Sequence, residues 1–266
     1  MTRWPFRFRR RKQAPPPAPV AVNPLQNPQL YANLLQRFER QGYTHEQAVQ
    51  LTVGGHFQAF GTLERDLLIQ YGLAPHHYLI DVGCGSGRLT RALAPYLTGR
   101  YLGLDVLPDL LAYARAQAPN PAWRFEAVTG FAIPERDAQA DMICFFSVFT
   151  HLLHEQSYVY LRDAQRALKP GGHIVFSFME YGFPSHWRAF EEAITHINDA
   201  LPLNVFISRD AIAAWAQHLG LDVIDVQDGE KPFIRLREPA VFDHGGAFTE
   251  LGTIGQSVCV LQKRAS

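Results

Sequence analysis

A turn with three glycines, placed between a short apolar stretch and a helical stretch, is the feature that most limits how this chain can fold. The apolar residues 78–82 lead into the turn, and residues 81–88 read D-V-G-C-G-S-G-R. Glycines at alternate positions let the backbone turn sharply and let a ligand come close to it. The start of the next helix adds unpaired N–H groups and a positive dipole end, which favour an anionic group. The sequence therefore predicts a strand–turn–helix unit that binds a nucleotide-like ligand.

The spacing of the glycines separates this turn from other nucleotide-binding turns. A dinucleotide-binding turn reads G-x-G-x-x-G, but here the third glycine comes one residue early and Arg88 stands where that pattern needs glycine. A P-loop would end in Lys followed by Ser or Thr, which this turn does not. An NAD-linked dehydrogenase is therefore a remote alternative, and a tight turn without a ligand is the structural alternative.

A carboxylate at the end of the next apolar stretch supports the ligand interpretation. Residues 101–105 read Y-L-G-L-D and predict a strand that ends at Asp105. In dinucleotide folds an acidic residue at this place accepts hydrogen bonds from the ribose hydroxyls. The alternative is that Asp105 caps a turn ahead of Pro108.

Short apolar stretches alternate with helical ones along the middle of the chain, which is typical of a parallel βαβ series. Residues 142–146, M-I-C-F-F, predict a strand buried on both faces at the centre of the sheet. The predicted strands cover residues 78–82, 101–105, 123–128, 141–147 and 173–178, with later strands at 221–226 and 257–261. The predicted helices between the first five strands cover residues 88–97, 109–117 and 155–168.

The order of these signals resembles one enzyme family. The turn D-x-G-x-G-x-G resembles motif I of the class I, Rossmann-like, S-adenosylmethionine-dependent methyltransferases. Residues 140–152 and 161–173, which include L-K-P-G-G, resemble the fourth strand and the later helix and turn of that family. The resemblance extends over about residues 57–178. It implies an α/β fold with a doubly wound, seven-stranded, mostly parallel sheet whose last strand is antiparallel.

The resemblance also implies a cofactor, S-adenosyl-L-methionine, at the carboxyl ends of the strands. Asp81 and Gly83 would lie near its methionine part, Gly85 and Gly87 would back its adenosine side, and Asp105 would hold the ribose. The other positions that we expect in the cofactor site are Cys84, Arg88, Val106, Thr129, Phe146 and Ser147.

Two of these contacts remain open at this stage. Arg88 can approach the carboxylate of the cofactor, or it can pair with a nearby acidic side chain. Members of the family often carry an acid just after the third strand, near the adenine, but residues 127–131 contain none. Thr129, a backbone group or Glu126 can take that role instead.

Methyl transfer needs an aligned acceptor and, for a hydroxyl acceptor, a general base. His151 follows the fourth strand, and we expect it to act as the base or to orient the acceptor, because a free imidazole ordinarily titrates near neutral pH. A packing or capping role is the alternative. His154 lies close in sequence, but the pair does not match the zinc pattern His-Glu-x-x-His, and we expect no metal.

Residues that follow the fifth strand are the candidates for binding the acceptor. We expect Glu180, Tyr181, His186 and Trp187 on that side of the site, because many members of the family bind substrate there. Residues 244–246, H-G-G, predict either a lid loop or an ordinary surface turn.

The two ends of the chain predict additions to the core domain. Residues 1–28 are basic and proline-rich, and we favour a disordered tail over an electrostatic contact with an anionic membrane or RNA. The domain would cover residues 29–266, with cap helices at 29–72 and substrate-side additions at 180–256. Thr44 and Gln47 match a capping box within this cap.

The composition narrows the functional classes. The 266 residues carry a formal net charge of zero, which argues against nucleic acid as a partner. Cysteines are few and widely spaced, and no apolar stretch is long enough to cross a bilayer, so we expect a cytoplasmic protein. The leading hypothesis is a methyltransferase for a small-molecule, sugar-like or lipid-like acceptor. The alternatives are a protein or RNA methyltransferase and a non-catalytic binding module; the oligomeric state is not indicated.

Overall fold

A seven-stranded mixed sheet forms the centre of the structure, a computed structural model that describes residues 28–195 and 204–265. The strands of this sheet are β1 (Leu79–Val82), β2 (Tyr101–Asp105), β3 (Arg124–Ala127), β4 (Ala140–Phe145), β5 (Leu168–Phe178), β6 (Leu221–Gln227) and, last in sequence, β11 (Ser257–Lys263). Four two-residue strands lie between the last two: β7 (Ile234–Arg235), β8 (Ala240–Val241), β9 (Ala247–Phe248) and β10 (Leu251–Gly252).

The topology of the sheet confirms the predicted fold class. The strand order is β3-β2-β1-β4-β5-β11-β6. Strands β1 to β5 pair in parallel, while β11 runs antiparallel to both β5 and β6. Ile143 and Cys144 in β4 are fully buried, as expected for a central strand covered by helices on both faces.

Eight helices surround the sheet in the part of the chain that the structure describes. They are α1 (Pro28–Arg40), α2 (His45–Thr52), α3 (Phe57–Gln70), α4 (Arg88–Leu93), α5 (Pro108–Gln117), α6 (His154–Ala167), α7 (Pro184–Thr195) and α8 (Arg209–Leu219). The predicted capping box of α2 is present, with Gln47 N–H donating to Thr44 Oγ1 and Thr44 N–H donating to Gln47 Oε1. Gly220 ends α8 in the left-handed conformation, and Ser208 precedes that helix without a side-chain capping bond.

The turn Lys-Pro-Gly-Gly before the fifth strand is part of the strand itself. We predicted a strand from residue 173, but β5 begins at Leu168, opposite Ala140. The register shifts between Ala140 and Met142, so the extra residues form a bulge rather than a separate turn. Gly172 fits there because a Cβ at this position would lie 2.8 Å from the backbone oxygen of Asp141.

Residues 229–255, which lie within the predicted substrate-side additions and show little periodicity, contain four short strands. Strand β7 pairs with β10 and β8 pairs with β9, each pair antiparallel. Both small sheets pack near α3, where Phe242 contacts the rings of His56 and Phe60 edge-on. Two-residue strands are too short to produce an alternating sequence pattern, which is why the sequence did not reveal them.

Parts of the sequence-based predictions lie outside the described residues. They are the basic tail, apart from Pro28 at the start of α1, and residues 196–203 of the predicted substrate-side additions. Within the described residues, no helix has the length and apolar character needed to span a membrane.

A glycine contact joins α3 to the helix that follows the glycine-rich turn. A Cβ on Gly61 would lie 2.5 Å from the backbone oxygen of Arg88 and 3.3 Å from the Cβ of Ala92. The close approach of α3 to α4 therefore depends on the missing side chain.

We expect Gly61→Ala to lower the free energy of unfolding by about 1–3 kcal/mol, because overpacking outweighs the better helix propensity of alanine. Urea denaturation measures the change. Gly182→Ala is the matched control, since a Cβ there meets no atom within 4 Å. Equal stability of the Gly61 variant and the wild type would show that the two helices can separate at no cost.

Candidate functional site

A cavity of about 520 Å³ opens at the carboxyl ends of β1, β2 and β4. Its size is that of a small-molecule site, and its position is where open α/β sheets bind ligands. The predicted cofactor residues that line it are Asp81, Gly83, Cys84, Gly85, Arg88, Asp105, Val106, Phe146 and Ser147, together with the predicted base His151. The sequence analysis did not name several lining residues, which come from α1, from α2 and the residue after it, from α3, and from the positions before α8 and β11: Tyr31, Leu34, Leu51, Val53, Glu64, Asn204 and Gln256.

The glycine positions of the turn have no room for side chains. Gly85 has a φ of +54°, and a Cβ there would lie 2.8 Å from Val53 Cγ1. Gly87, predicted on the adenosine side, is not in the cavity wall. A Cβ on Gly87 would lie 2.7 Å from the Cα of Ala114, so this glycine allows α4 and α5 to pack closely.

Asp105 holds the turn in place and also faces the cavity. Its carboxylate accepts hydrogen bonds from the backbone N–H groups of Gly85 (2.9 Å) and Leu107 (3.0 Å). Burial raises the pKa of Asp105, and these backbone donors oppose the rise. Each carboxylate oxygen accepts more than one hydrogen bond, so the capping role does not exhaust the acceptors available to a ligand. The two roles considered from the sequence are therefore compatible.

Asp81 is a buried acid with an unusual titration. The Tyr101 hydroxyl donates to it at 2.7 Å, and the Cys144 thiol lies 3.5 Å from its other oxygen. Burial raises the pKa of Asp81 to about 7, and the nearby Glu64 carboxylate adds to the rise. This carboxyl group therefore changes charge near neutral pH.

Arg88 pairs with an acid that the sequence analysis did not select. Its guanidinium lies 2.5 Å from the carboxylate of Glu64, and it also donates to the backbone oxygen of Val53 at 2.9 Å. Burial raises the pKa of Glu64, while Arg88 opposes the rise. Glu64 is a charged residue within the buried stretch 61–68 of α3, and its place there was the signal that could have indicated this ion pair. Of the two alternatives for Arg88, the structure shows the pairing with an acid.

The end of β4 is linked to the start of β11 by a side-chain contact. Ser147 has a φ of +57°, which is strained for a residue other than glycine, and its N–H donates to Ser177 Oγ at 2.7 Å. Its hydroxyl accepts a hydrogen bond from Gln256 Nε2 at 3.1 Å. These contacts hold Ser147 and Gln256 together in the cavity wall.

His151 belongs to a short 3-10 helix, Phe149–His151, just beyond β4. The ring of Tyr31 from α1 lies edge-on to the imidazole, with the ring centroids 5.9 Å apart. Burial raises the pKa of Tyr31, and the Asp105 carboxylate raises it further. Tyr31 is therefore a neutral phenol that covers the cavity next to His151.

The edge of the cavity near β3 is less polar than expected. Thr129 is exposed and is not in the cavity wall, and Glu126 lies 3.6 Å from Arg124 instead. The wall consists of Val128 and the buried Tyr160, whose hydroxyl donates to the backbone oxygen of Gly130. The alternation of β3 turns its acidic side chain away, so backbone groups and apolar side chains remain at this edge.

The four residues predicted to bind the acceptor lie away from the cavity. Glu180 binds Arg209 and the Ser257 hydroxyl, and the buried His186 ring lies within 3.2 Å of backbone groups of Glu180 and Gly255. Tyr181 stacks on Phe206, and the exposed Trp187 contacts Phe190. The chain turns away from the cavity after β5, and of the described residues between 180 and 256 only Asn204 and Gln256 line it.

The histidine-containing loop at residues 244–246 is also separate from the cavity. The ring of His244 lies 5.3 Å from that of His56, at the start of α3. No group of three or more His, Cys, Asp or Glu side chains suited to a metal ion occurs in residues 28–195 and 204–265.

Several known proteins with similar sequences are named as methyltransferases. Residues 80–176 match the family described as a methyltransferase domain. Malonyl-[acyl-carrier protein] O-methyltransferase of Hahella chejuensis is 27% identical over 144 residues, which cover 54% of this chain and 50% of that protein. A ubiquinone biosynthesis O-methyltransferase of Xylella fastidiosa is 28% identical over 158 residues, which cover 56% and 62%. The chain thus spans half to about three fifths of the length of these two relatives.

The fold is shared with solved structures at lower identity. A SAM-dependent methyltransferase from Thermotoga maritima is 17% identical with a TM-score of 0.57, and the match covers 89% of this chain and 99% of that one. This similarity supports the class I fold and carries no information about the substrate.

The titration of Asp81 leads to a prediction about stability. A folded-state pKa near 7, above the ordinary value of 3.8, means that the folded protein keeps a proton that the unfolded chain releases. The resulting stabilisation is complete below pH 4 and is lost as pH rises through 7. We expect the wild type to lose about 2–3 kcal/mol more than Asp81→Asn between pH 5 and pH 7.5.

Urea denaturation across this pH range measures the difference. Asp109→Asn, at an exposed position in the first turn of α5, is the control and should follow the wild type. The same pH slope in the wild type and Asp81→Asn would mean that Asp81 is ionised throughout the range.

Proposed function

We propose that this chain, which contains a class I S-adenosylmethionine-dependent methyltransferase domain, transfers a methyl group from S-adenosylmethionine to the oxygen of a small-molecule acceptor. The observation that carries the proposal is the single cavity wall that joins the glycine-rich turn, Asp105 and His151. The O-methyltransferase relatives support oxygen as the acceptor atom.

The charges of the cavity suit the cofactor. Glu64, Asp81 and Asp105 line it, while Arg88 is the one Lys or Arg among the described residues that do so. S-adenosylmethionine carries a sulfonium and an ammonium group against one carboxylate, so a wall rich in carboxylates favours it. The remaining acceptor capacity of Asp105 suits the two ribose hydroxyls. We therefore assign the ribose to Asp105 and the cationic groups to the side of Glu64 and Asp81.

The residues around the glycine-rich turn would hold the rest of the cofactor. We assign Gly83, Cys84 and Gly85 of the turn to the side of the cofactor that faces the main chain. We assign Val106 and Val128 to the adenine. We do not assign Thr129 or Gly87 to cofactor contacts, because neither lies in the cavity wall. Arg88 holds Glu64 in place rather than reaching for the cofactor carboxylate.

When bound, the cofactor supplies a methyl group made electrophilic by its sulfonium. The chain's own task is then to align the acceptor and to accept its proton. His151 can take the proton of a hydroxyl acceptor at an imidazole nitrogen, since imidazole titrates close to neutral pH. Tyr31 covers the imidazole and limits the access of water. Helices α1 and α2 contribute Tyr31, Leu34, Leu51 and Val53 to the wall, and this enclosure favours a small acceptor over a polymer.

We expect Asp105→Ala to weaken the binding of S-adenosylmethionine about 10- to 100-fold. A hydrogen-bonded carboxylate contributes about 1.5–3 kcal/mol, and the variant also loses the acceptor that holds the turn. Isothermal titration calorimetry measures the affinity, and circular dichroism checks the fold. Asp109→Ala is the control, because Asp109 is an exposed residue in the first turn of α5. An unchanged affinity would show that Asp105 acts only as a cap.

We expect His151→Gln to lower kcat by about 100-fold or more at pH 7 with a phenolic acceptor, while the affinity for S-adenosylmethionine stays the same. The defect should shrink toward pH 10, because the phenol then ionises without a base. Methyl transfer across a pH series measures both effects. A defect that stays constant with pH would mean that His151 orients the acceptor without taking its proton.

A further inference from the structure

A joint of three residues connects α2 to α3. It consists of Gly54, Gly55 and His56, whose φ angles of +98°, +67° and +44° are all left-handed. A Cβ on Gly54 or Gly55 would meet its nearest neighbour at 3.9 Å or 3.8 Å, which are ordinary contact distances. These two glycines therefore serve the conformation of the backbone, whereas those of the glycine-rich turn make room for their neighbours. Hinges in proteins are typically a few residues of this kind between two helices or strands.

Helices α1 and α2 lie outside the main hydrophobic core. Leu35 of α1 and Ala48 and Val49 of α2 form a buried cluster with Leu110 of α5. This cluster is separate from the two larger ones that cover the faces of the sheet. Segments that bury little apolar surface open locally at a low cost in free energy, so α1 and α2 can move while the sheet stays packed.

The same two helices form part of the cavity wall. Tyr31 and Leu34 come from α1, and Leu51 and Thr52 come from α2. Most of the other lining residues belong to the glycine-rich turn or follow the strands of the sheet. A rotation about the joint would therefore move one part of the wall away from the rest and widen the cavity.

Aromatic rings hold His56 in its left-handed conformation. This conformation is strained for histidine, and the side chain of His56 makes no capping bond to α3 that would offset the strain. The imidazole lies against the rings of Phe242 and His244, with centroid distances of 5.3 Å in both cases, and against Phe60 at 6.4 Å. The backbone N–H of Asp243 donates to His56 Nδ1 at 3.4 Å. These contacts clamp the joint from outside the cavity.

The joint is also tied to the buried ion pair. Arg88, which pairs with Glu64, donates to the backbone oxygen of Val53 at 2.9 Å, directly before the joint. The guanidinium carbon of Arg88 lies 5.3 Å from the ring centroid of Phe60. A ligand that meets the Glu64 carboxylate would thus lie next to the groups that hold the joint, so its binding can shift the position of α1 and α2.

We propose that α1 and α2 form a lid that opens and closes over the cavity about residues 54–56, and that the rings of Phe60, Phe242 and His244 clamp His56 so that the lid rests closed. This inference rests on the proposed function, because it takes the cavity as the cofactor site. It goes beyond that function by assigning how a ligand enters and leaves.

Amide hydrogen exchange on the full chain tests the lid. Residues 36–48 are the reporter, because they belong to the lid and none of them lines the cavity, so a bound ligand does not shield them directly. In the free protein their helical amides should exchange about 10-fold faster than those of α6, which packs in the core. S-adenosylhomocysteine should slow them by about 10-fold. Exchange as slow as in α6 without the ligand, or exchange that the bound ligand leaves unchanged, overturns the proposal.

Variants of the clamp test the role of the rings. Phe242→Ala should raise both the association and the dissociation rate constant of S-adenosylhomocysteine about 5-fold, measured by surface plasmon resonance, and should speed exchange in residues 36–48. His244→Ala, at an exposed position, should change the same quantities in the same direction by about 2-fold.

Phe183→Ala is the matched control. Its ring meets that of His186 edge-on at 5.4 Å, as the ring of Phe242 meets that of His56 at 5.3 Å, but it lies away from the joint and the cavity. Wild-type rate constants and wild-type exchange in both clamp variants overturn the clamp. A variant that only weakened the ligand contacts would raise the dissociation rate constant alone, whereas a freer lid raises both.

The two proposals fail in different ways. A protein that binds S-adenosylhomocysteine while exchange in residues 36–48 stays unchanged keeps the proposed function and loses the lid. A protein that binds neither S-adenosylmethionine nor S-adenosylhomocysteine loses the proposed function. The lid is then decided by exchange in the free clamp variants, because faster exchange in residues 36–48 supports it and wild-type exchange overturns it.

Discussion

The absence of a side chain at the three glycines of one turn is the constraint on which the rest of this structure depends. Gly83 faces Val148 beyond β4, Gly85 faces Val53 beyond α2, and Gly87 faces the backbone of α5 at Ala114. Each of these neighbours lies within 2.8 Å of the position that a Cβ on the glycine would occupy, which is too close for a side chain. The turn is therefore the place where three separate parts of the chain meet, and the cavity wall forms around it.

The buried charges near this turn join the fold to its chemistry. The ion pair between Glu64 and Arg88 connects α3 to α4, and the further bond from Arg88 to Val53 fastens the end of α2. Removing both charges from water is costly, and this cost is offset only because the pair is close and further hydrogen-bonded. Under the proposed function Glu64 would also face the cationic groups of the cofactor, so the same residue would serve both stability and binding.

The sequence predicted the sheet more completely than the site. Strands β1, β2 and β4 were identified because buried parallel strands are continuous apolar stretches. The number of strands and the antiparallel last strand followed from the family resemblance. Tyr181 and Trp187, two of the residues expected to bind the acceptor, follow β5 in sequence but do not line the cavity, so their role in acceptor binding stays a prediction. Position after a strand does not determine the direction in which the following loop leaves the sheet.

The sequence by itself determined the strand–turn–helix unit and the acidic residue at the end of β2, because glycine conformation and apolar periodicity act over a few neighbouring residues. Only the tertiary structure decided which side chains surround the cavity. Tyr31 meets His151, and Gln256 bonds to Ser147, across more than a hundred residues of chain. Such contacts depend on how helices and strands pack against one another, and no local pattern of residues encodes them.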